Sequence, residues 1–75
     1  MFGSDDLAAL EAAKIRSRSK LIAEGRTIDG YFAAYETPEG SFPTVCRQKA
    51  TIGVDYWFTK QAALLHCSEF LKVNG

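Results

Sequence analysis

The first third of the chain places apolar residues at helical spacings. Ser4 is a suitable N-cap, and Asp5 and Asp6 fall in the first turn, where the helix dipole favours anions. Several alanines supply strong helix propensity, and Gly25 is a typical stop signal. The pattern predicts a helix over residues 4–24.

The apolar residues of this predicted helix form two narrow stripes instead of one broad face. One stripe holds Leu7, Leu10 and Leu21, and the other, about 100° away, holds Ala8, Ile15 and Ile22. A helix of this kind can contact the core with one stripe and a partner with the other, or it can dock only loosely.

The middle of the chain, residues 26–58, is dense in β-branched and aromatic residues and therefore predicts strands. The segment T-P-E-G-S at 37–41 is its strongest turn signal. Pro38 suits the first central position of a type I turn, and Gly40 suits the left-handed position of a bulged hairpin loop. We expect two strands that pair antiparallel on either side of this turn.

A hairpin closed by this turn has a defined register, with Phe32 opposite Cys46 and Tyr31 opposite Arg47. A third alternating run, residues 51–58, follows a connection that lacks glycine and proline. One face of the hairpin then carries Ile28, Phe32, Ala34, Thr44 and Cys46, and the other carries Tyr31, Ala33, Tyr35, Pro43 and Val45.

The last segment has the clearest helical pattern. Thr59 is a suitable N-cap and Asn74-Gly75 a suitable end, so a helix is predicted over residues 60–73. Its apolar side consists of Ala63, Leu64, Cys67, Phe70 and Leu71. The chain is therefore predicted to be one small α+β domain over residues 1–75, in the order α-β-β-β-α: a three-stranded antiparallel meander with an N-terminal and a C-terminal helix.

Composition restricts the class of protein. At 75 residues and 8.3 kDa the chain has room for one small domain, and 47% hydrophobic with 24% charged residues is ordinary for a folded protein. Nine basic residues balance nine acidic ones, so no overall field attracts nucleic acid or an anionic membrane. No apolar run approaches the roughly 20 residues of a membrane span, and the acidic N-terminal sequence is unlike an export signal, so we expect a cytoplasmic protein.

The residues suited to chemistry are few. His66 is the single histidine, and its neighbour Cys67 points about 100° away on a helix, so Cys46 is the better partner for it. Neither cysteine has the surroundings of a cysteine enzyme, and the sequence contains no C-x-x-C or H-x-x-x-H metal motif. We expect reduced core thiols, no metal, no cofactor and no enzyme activity.

The nine acidic residues are dispersed among caps, turns and solvent-facing positions, so no pair is placed for acid–base catalysis. Asp55 differs from the others because it interrupts an otherwise apolar strand. It either faces solvent or pairs across the meander with Arg47 or Lys49.

Both faces of the predicted hairpin are apolar, whereas a sheet with one wet face alternates apolar and polar residues. The second face, extended by the third strand, offers an aromatic surface made of Tyr31, Tyr35, Val45, Arg47 and Trp57. Either the N-terminal helix covers this surface, or another molecule does. We therefore expect a small non-catalytic regulator that binds a protein partner, or a second copy of itself, through the aromatic surface.

A second interpretation is nucleic-acid binding. Residues 14–26 contain one acid and five basic residues, namely Lys14, Arg16, Arg18, Lys20 and Arg26. Together with the sheet aromatics they would supply phosphate contacts and stacking surfaces. The zero net charge and the pI near 6.5 argue against this function, because nucleic-acid modules are usually basic.

The predicted element order is shared with double-stranded-RNA-binding domains. The segment W-F-T-K-Q-A-A at 57–63 also resembles the strand-to-helix junction of small three-stranded DNA-binding domains. The lysine-rich start of the last helix in the RNA-binding family corresponds here to Lys60 alone. Element order does not fix function, so neither resemblance assigns a role to any residue.

Overall fold

The computed structural model describes residues 4–49 and 51–74, with side chains from Leu7 to Lys49 and from Thr51 to Val73. Four strands form one antiparallel sheet in the order β1-β2-β3-β4, and one helix lies at each end of the chain. The α+β class is confirmed, but the sheet has four strands and not the predicted three. The elements are α1 (Ser4–Arg18), β1 (Lys20–Arg26), β2 (Gly30–Glu36), β3 (Phe42–Gln48), β4 (Thr51–Trp57) and α2 (Lys60–Asn74).

The N-terminal helix is shorter than the predicted span of residues 4–24. It ends at Arg18, and residues 20–26 form β1 instead of its last two turns. Serine favours helix ends over helix interiors, and here the Ser17 hydroxyl donates to the Lys14 carbonyl oxygen at 3.0 Å. The element order therefore gains a strand and differs from the α-β-β-β-α order of double-stranded-RNA-binding domains.

Strand β1 pairs with β2 over its whole length, and it turns Ile22 and Ala23 into the core. Gly25, which the sequence pattern marked as a helix stop, lies inside this strand. A Cβ atom there would be 2.6 Å from Cε1 of Phe32, so only glycine lets the Phe32 ring pack this closely. Sheet pairing and burial thus override the local helix propensity of the segment.

The β2–β3 hairpin forms as predicted. The Thr37 N–H donates to the Ser41 carbonyl oxygen at 3.0 Å, and Gly40 has a φ of 87° in the left-handed region. The register is confirmed, with Phe32 opposite Cys46. This turn is therefore specified locally by its proline and glycine.

The β3–β4 connection forms a tight turn that contains no glycine. Lys49 itself adopts a φ of 57°, and its N–H donates to the Asp29 carbonyl oxygen at 3.2 Å. The two strands then pair without a register shift from Phe42 opposite Trp57 to Gln48 opposite Thr51. The third alternating run of the sequence is thus confirmed as β4.

Helix α2 covers one face of the sheet. The prediction over 60–73 is confirmed to within one residue, and Thr59 is its N-cap, because the Thr59 Oγ1 accepts from the Ala62 N–H at 3.1 Å. Cys67 packs against Phe32 in this layer, and the Phe70 ring meets Phe32 edge-on with ring centroids 5.9 Å apart. The predicted caps at Ser4 and at Asn74-Gly75 lie outside the described side chains.

Helix α1 covers the other face with the stripe that contains Ile15. Ala12 and Ile15 are buried against Tyr35 and Val45, which are only 5% and 4% exposed. Leu10, on the other predicted stripe, is 58% exposed. Of the two open possibilities for the aromatic surface, the structure therefore has the N-terminal helix covering its centre.

This arrangement predicts a strong contrast between two apolar residues of α1. Ile15→Ala removes buried contacts with the sheet and should lower the free energy of unfolding by about 2–5 kcal/mol. Leu10→Ala, on the exposed side of the same helix, should change it by less than about 0.5 kcal/mol. Urea denaturation followed by circular dichroism measures both, and similar losses in the two variants would contradict the placement of α1.

Candidate functional site

The residues of the predicted aromatic surface do not form one exposed patch. Tyr35 and Val45 are buried under α1. Tyr31 and Arg47 lie on the same face of the sheet, in the groove beside the helix. Trp57 lies on the opposite face, where its ring contacts His66 of α2. The expectation that Trp57 shares a face with Tyr31 is wrong, because β4 pairs with β3 in a register that the sequence did not reveal.

A groove with a volume of about 300 Å³ lies between α1 and the sheet. We call it the α1 groove. Its apolar part is built from alanines of the helix and branched residues of the strands, and its polar part is two guanidinium groups and one phenol. The lining is Ala9, Ala12, Arg16, Tyr31, Val45, Arg47 and Ile52.

The α1 groove therefore unites Tyr31, Val45 and Arg47 from the predicted protein-binding set with Arg16 from the predicted nucleic-acid set. Ile52 also lines the groove but was not among the residues predicted from the sequence. The alternation of apolar residues within 51–58 was visible, but the face of the sheet on which Ile52 lies followed only from the β3–β4 register.

Tyr31 is held in place by residues of β1. Its hydroxyl donates to Glu24 Oε2 at 3.3 Å, and the Arg26 guanidinium lies over its ring, 5.9 Å from the centroid. Burial raises the pKa of Tyr31, with the neighbouring Tyr35 and Glu24 adding to the effect. The phenol therefore remains protonated at neutral pH and acts as a hydrogen-bond donor.

The α1 groove is positively charged. Among the described side chains, the ion pairs are Arg18 with Glu39 and His66 with Asp55, so neither Arg16 nor Arg47 has an acidic partner there. A groove with an apolar floor and two such guanidinium groups attracts an anionic ligand that also carries apolar groups.

The basic residues of 14–26 do not form one nucleic-acid surface. Arg18 Nη2 lies 3.2 Å from Glu39 Oε1 of the β2–β3 turn. Lys14 lies beside Arg18 on the same side of α1. Lys20 and Arg26 stand at the two ends of β1. Of the five, only Arg16 lines the α1 groove, while Arg26 lies over the Tyr31 ring.

The other face contains a cluster of chemically active residues beneath α2. Cys46 Sγ lies 3.6 Å from His66 Nε2, so Cys46 and not Cys67 is the cysteine beside the histidine. The same nitrogen lies 3.4 Å from Asp55 Oδ2. Asp55 thus pairs with His66, and not with Arg47 or Lys49. The reason is the register: Asp55 stands opposite Thr44 on the α2 face, whereas Arg47 belongs to the α1 face.

This cluster is not arranged to activate the thiol. Burial, assisted by the charge of Asp55, raises the pKa of Cys46 to about 11, and burial with the nearby Cys46 raises the pKa of Cys67 to about 11. Both thiols are therefore protonated at neutral pH, and no disulfide joins them. The carboxylate and the thiol also share one imidazole nitrogen, whereas an orienting acid should bind the nitrogen opposite the nucleophile.

The neighbours of this cluster are bound within the fold. The Trp57 indole N–H donates to Thr44 Oγ1 at 3.1 Å, and the Trp57 ring lies 5.0 Å from the His66 ring. Within residues 4–49 and 51–74, no three His, Cys, Asp or Glu side chains are grouped to hold a metal ion. The cluster is best described as a polar contact that fixes α2 on the sheet.

Comparison with known proteins adds no assignment: no protein family, no curated protein and no solved structure matches this chain. In the described part of the chain, neither helix is long and apolar enough to cross a membrane.

The raised pKa of Cys46 predicts slow alkylation of the native protein. At pH 7.5 a shift of two pKa units lowers the thiolate fraction about 100-fold, so Cys46 should react with iodoacetamide at least about 100-fold more slowly than in the unfolded chain. The rate should rise with pH until about 11, because the reactive thiolate accumulates only as pH approaches the folded pKa. Peptide mass spectrometry separates Cys46 from Cys67.

Asp55→Asn removes a carboxylate that disfavours the thiolate, so it should speed the alkylation of Cys46. Asp29→Asn, in the exposed β1–β2 turn, is the matched control and should not. A native Cys46 that reacts as fast as the unfolded chain at pH 7.5 would contradict the raised pKa. A Cys46 that reacts faster than the unfolded chain would show an activated thiol and would favour a thiol enzyme.

Proposed function

We propose that this protein is a small non-catalytic binding module that takes an acidic, partly apolar segment of a partner protein into the α1 groove. The observation that carries the proposal is the pairing of an apolar floor with Arg16 and Arg47, which have no acidic partner among the described side chains. The protonated thiols of Cys46 and Cys67 support a role in binding over one in catalysis.

The composition of the groove resembles that of protein-binding surfaces. Aromatic residues and arginine are enriched in interfaces, and arginine binds carboxylates through two parallel hydrogen bonds. Tyr31 presents a large rigid side chain whose position is fixed by Glu24 and Arg26. A partner would therefore meet a groove that is largely preformed, which lowers the entropic cost of binding.

The charge distribution selects the kind of partner. The whole chain is neutral, so long-range attraction is weak, and selectivity arises from the local positive charge of the groove. A glutamate- or aspartate-containing segment with branched apolar residues fits both parts of the lining. The same groove disfavours a basic segment.

A peptide titration tests this function. A blocked ten-residue peptide of alternating glutamate and leucine, added to ¹⁵N-labelled protein, should shift the amide resonances of the groove residues and leave those of the α2 face unchanged. The double variant Arg16→Gln/Arg47→Gln should weaken binding about tenfold or more, since charge-assisted hydrogen bonds contribute about 1.5–3 kcal/mol each.

Two controls sharpen the titration. Lys60→Gln/Lys72→Gln removes the same amount of positive charge from α2 and should leave the affinity unchanged. The corresponding lysine–leucine peptide should not bind. Equal weakening by both double variants would mean that the peptide responds to total charge, and the groove would lose its assignment.

Single-stranded nucleic acid is the second candidate ligand, because Arg16 and Arg47 line the same groove as Tyr31 and Arg26 lies over the Tyr31 ring. Arginines beside an aromatic ring can hold phosphates while a base stacks. A decamer of deoxythymidine should then shift the same groove resonances, and its affinity should fall steeply between 50 and 200 mM salt. Absence of shifts at 50 mM salt rejects this candidate and leaves the protein-binding function.

A further inference from the structure

The two outer strands of the sheet differ in how they are protected from further pairing. Strand β1 carries a register irregularity between Leu21 and Ala23 and the charged residues Lys20, Glu24 and Arg26. Irregularities and charges of this kind are the usual means by which an edge strand is kept from pairing with another chain.

Strand β4 lacks these protections. It is regular over all seven of its residues, and its sequence, T-I-G-V-D-Y-W, contains neither proline nor a basic residue. Its single charge, Asp55, is directed at His66 of α2. Regular, largely uncharged outer strands favour the addition of another strand.

We propose that β4 of a second copy completes this edge, by antiparallel pairing about a two-fold axis through Val54. This inference goes beyond the proposed function, because the pairing uses the outer edge of β4, which shares only Ile52 with the α1 groove. The resulting assembly is a closed dimer with one continuous eight-stranded sheet. The protected β1 edges at its two ends prevent growth into a filament.

The axis at Val54 places compatible side chains opposite each other. On the α1 face, Val54 meets the partner's Val54, and Ile52 meets the partner's Tyr56. Aromatic and β-branched side chains are favourable cross-strand pairs. On the α2 face, Thr51 meets the partner's Trp57.

The position of the charge also selects this axis. Asp55 meets the partner's Gly53, where a side chain would have nothing within 4 Å, so the carboxylate has room. An axis one residue further, at Asp55, would set two carboxylates against each other. An axis one residue earlier, at Gly53, would extend the pairing into the β3–β4 turn.

Exposed apolar side chains flank the same edge. Tyr56 is 54% exposed and its hydroxyl donates to Glu11, while Leu7, one helical turn before Glu11 on the same side of α1, is 60% exposed. A two-fold axis perpendicular to the sheet keeps both α1 helices on one face. The dimer thus brings the Leu7 side of each helix toward the partner and buries apolar surface there.

A charge pair at Gly53 tests the register and the dimer together. Gly53→Glu sets a carboxylate opposite the partner's Asp55, twice per dimer, and should raise the dimer dissociation constant about tenfold. Gly53→Lys creates two opposite-charge pairs and should lower the constant by a similar factor. Sedimentation equilibrium of the full chain over a range of concentrations measures both, with circular dichroism confirming that the variants fold.

Two controls complete the experiment. Lys20→Gln on the β1 edge should leave the dissociation constant unchanged, and amide exchange should slow with concentration in β4 but not in β1. Arg16→Gln/Arg47→Gln should dimerise as the wild type does, so loss of groove binding and loss of dimerisation are separate results. A wild-type chain that stays monomeric at millimolar concentration, or Glu and Lys variants that shift the constant in the same direction, would overturn the dimer.

Discussion

Burial of the central strand on both of its faces is the constraint on which this fold depends. In β2 the consecutive residues Phe32, Ala33, Ala34 and Tyr35 are all at most 5% exposed, although their side chains alternate between the two faces. A strand of this kind is stable only if each face of the sheet has its own cover. Helices α1 and α2 provide these covers, and each helix closes a separate cluster of buried residues around β2.

The two helices cover the sheet to different extents, and this difference leaves the α1 groove open. Cys67 and Phe70 bring α2 onto Phe32 at the centre of the sheet. On the other face α1 presents small residues such as Ala9 and Ala12, so the space beside it is left for the α1 groove. A larger residue at either position would fill the groove with the protein's own side chains. The sequence of α1 therefore stabilises the fold with Ile15 while keeping part of the sheet accessible.

Those parts of the fold that are encoded locally were predictable. Pro38 and Gly40 specify one turn, and that turn fixed the pairing of Phe32 with Cys46, as the structure confirms. The apolar pattern of the last helix and its N-cap at Thr59 were also sufficient to predict the bounds of α2. These signals lie within a few residues of each other, so no tertiary contact was needed to interpret them.

The parts that depend on tertiary contacts were not predictable. The segment L-I-A at 21–23 suits a helix or a strand equally, and only its pairing with β2 decides for the strand. The side of the sheet that Trp57 occupies follows from a connection in which Lys49, and not glycine, adopts the left-handed conformation. Arg16 and Arg47 are 31 positions apart in the sequence, and only the docking of α1 brings them into one groove.

The separation of the aromatic residues between the two layers gives this protein an internal pair of spectroscopic reporters. Trp57, the single tryptophan, contacts His66 and Thr44 and therefore senses the α2 layer. All three tyrosines, Tyr31, Tyr35 and Tyr56, lie on the α1 face. Tryptophan and tyrosine signals consequently report on different halves of the molecule. Coincident transitions of the two signals during unfolding would mean that the layers dissociate from the sheet as one cooperative unit.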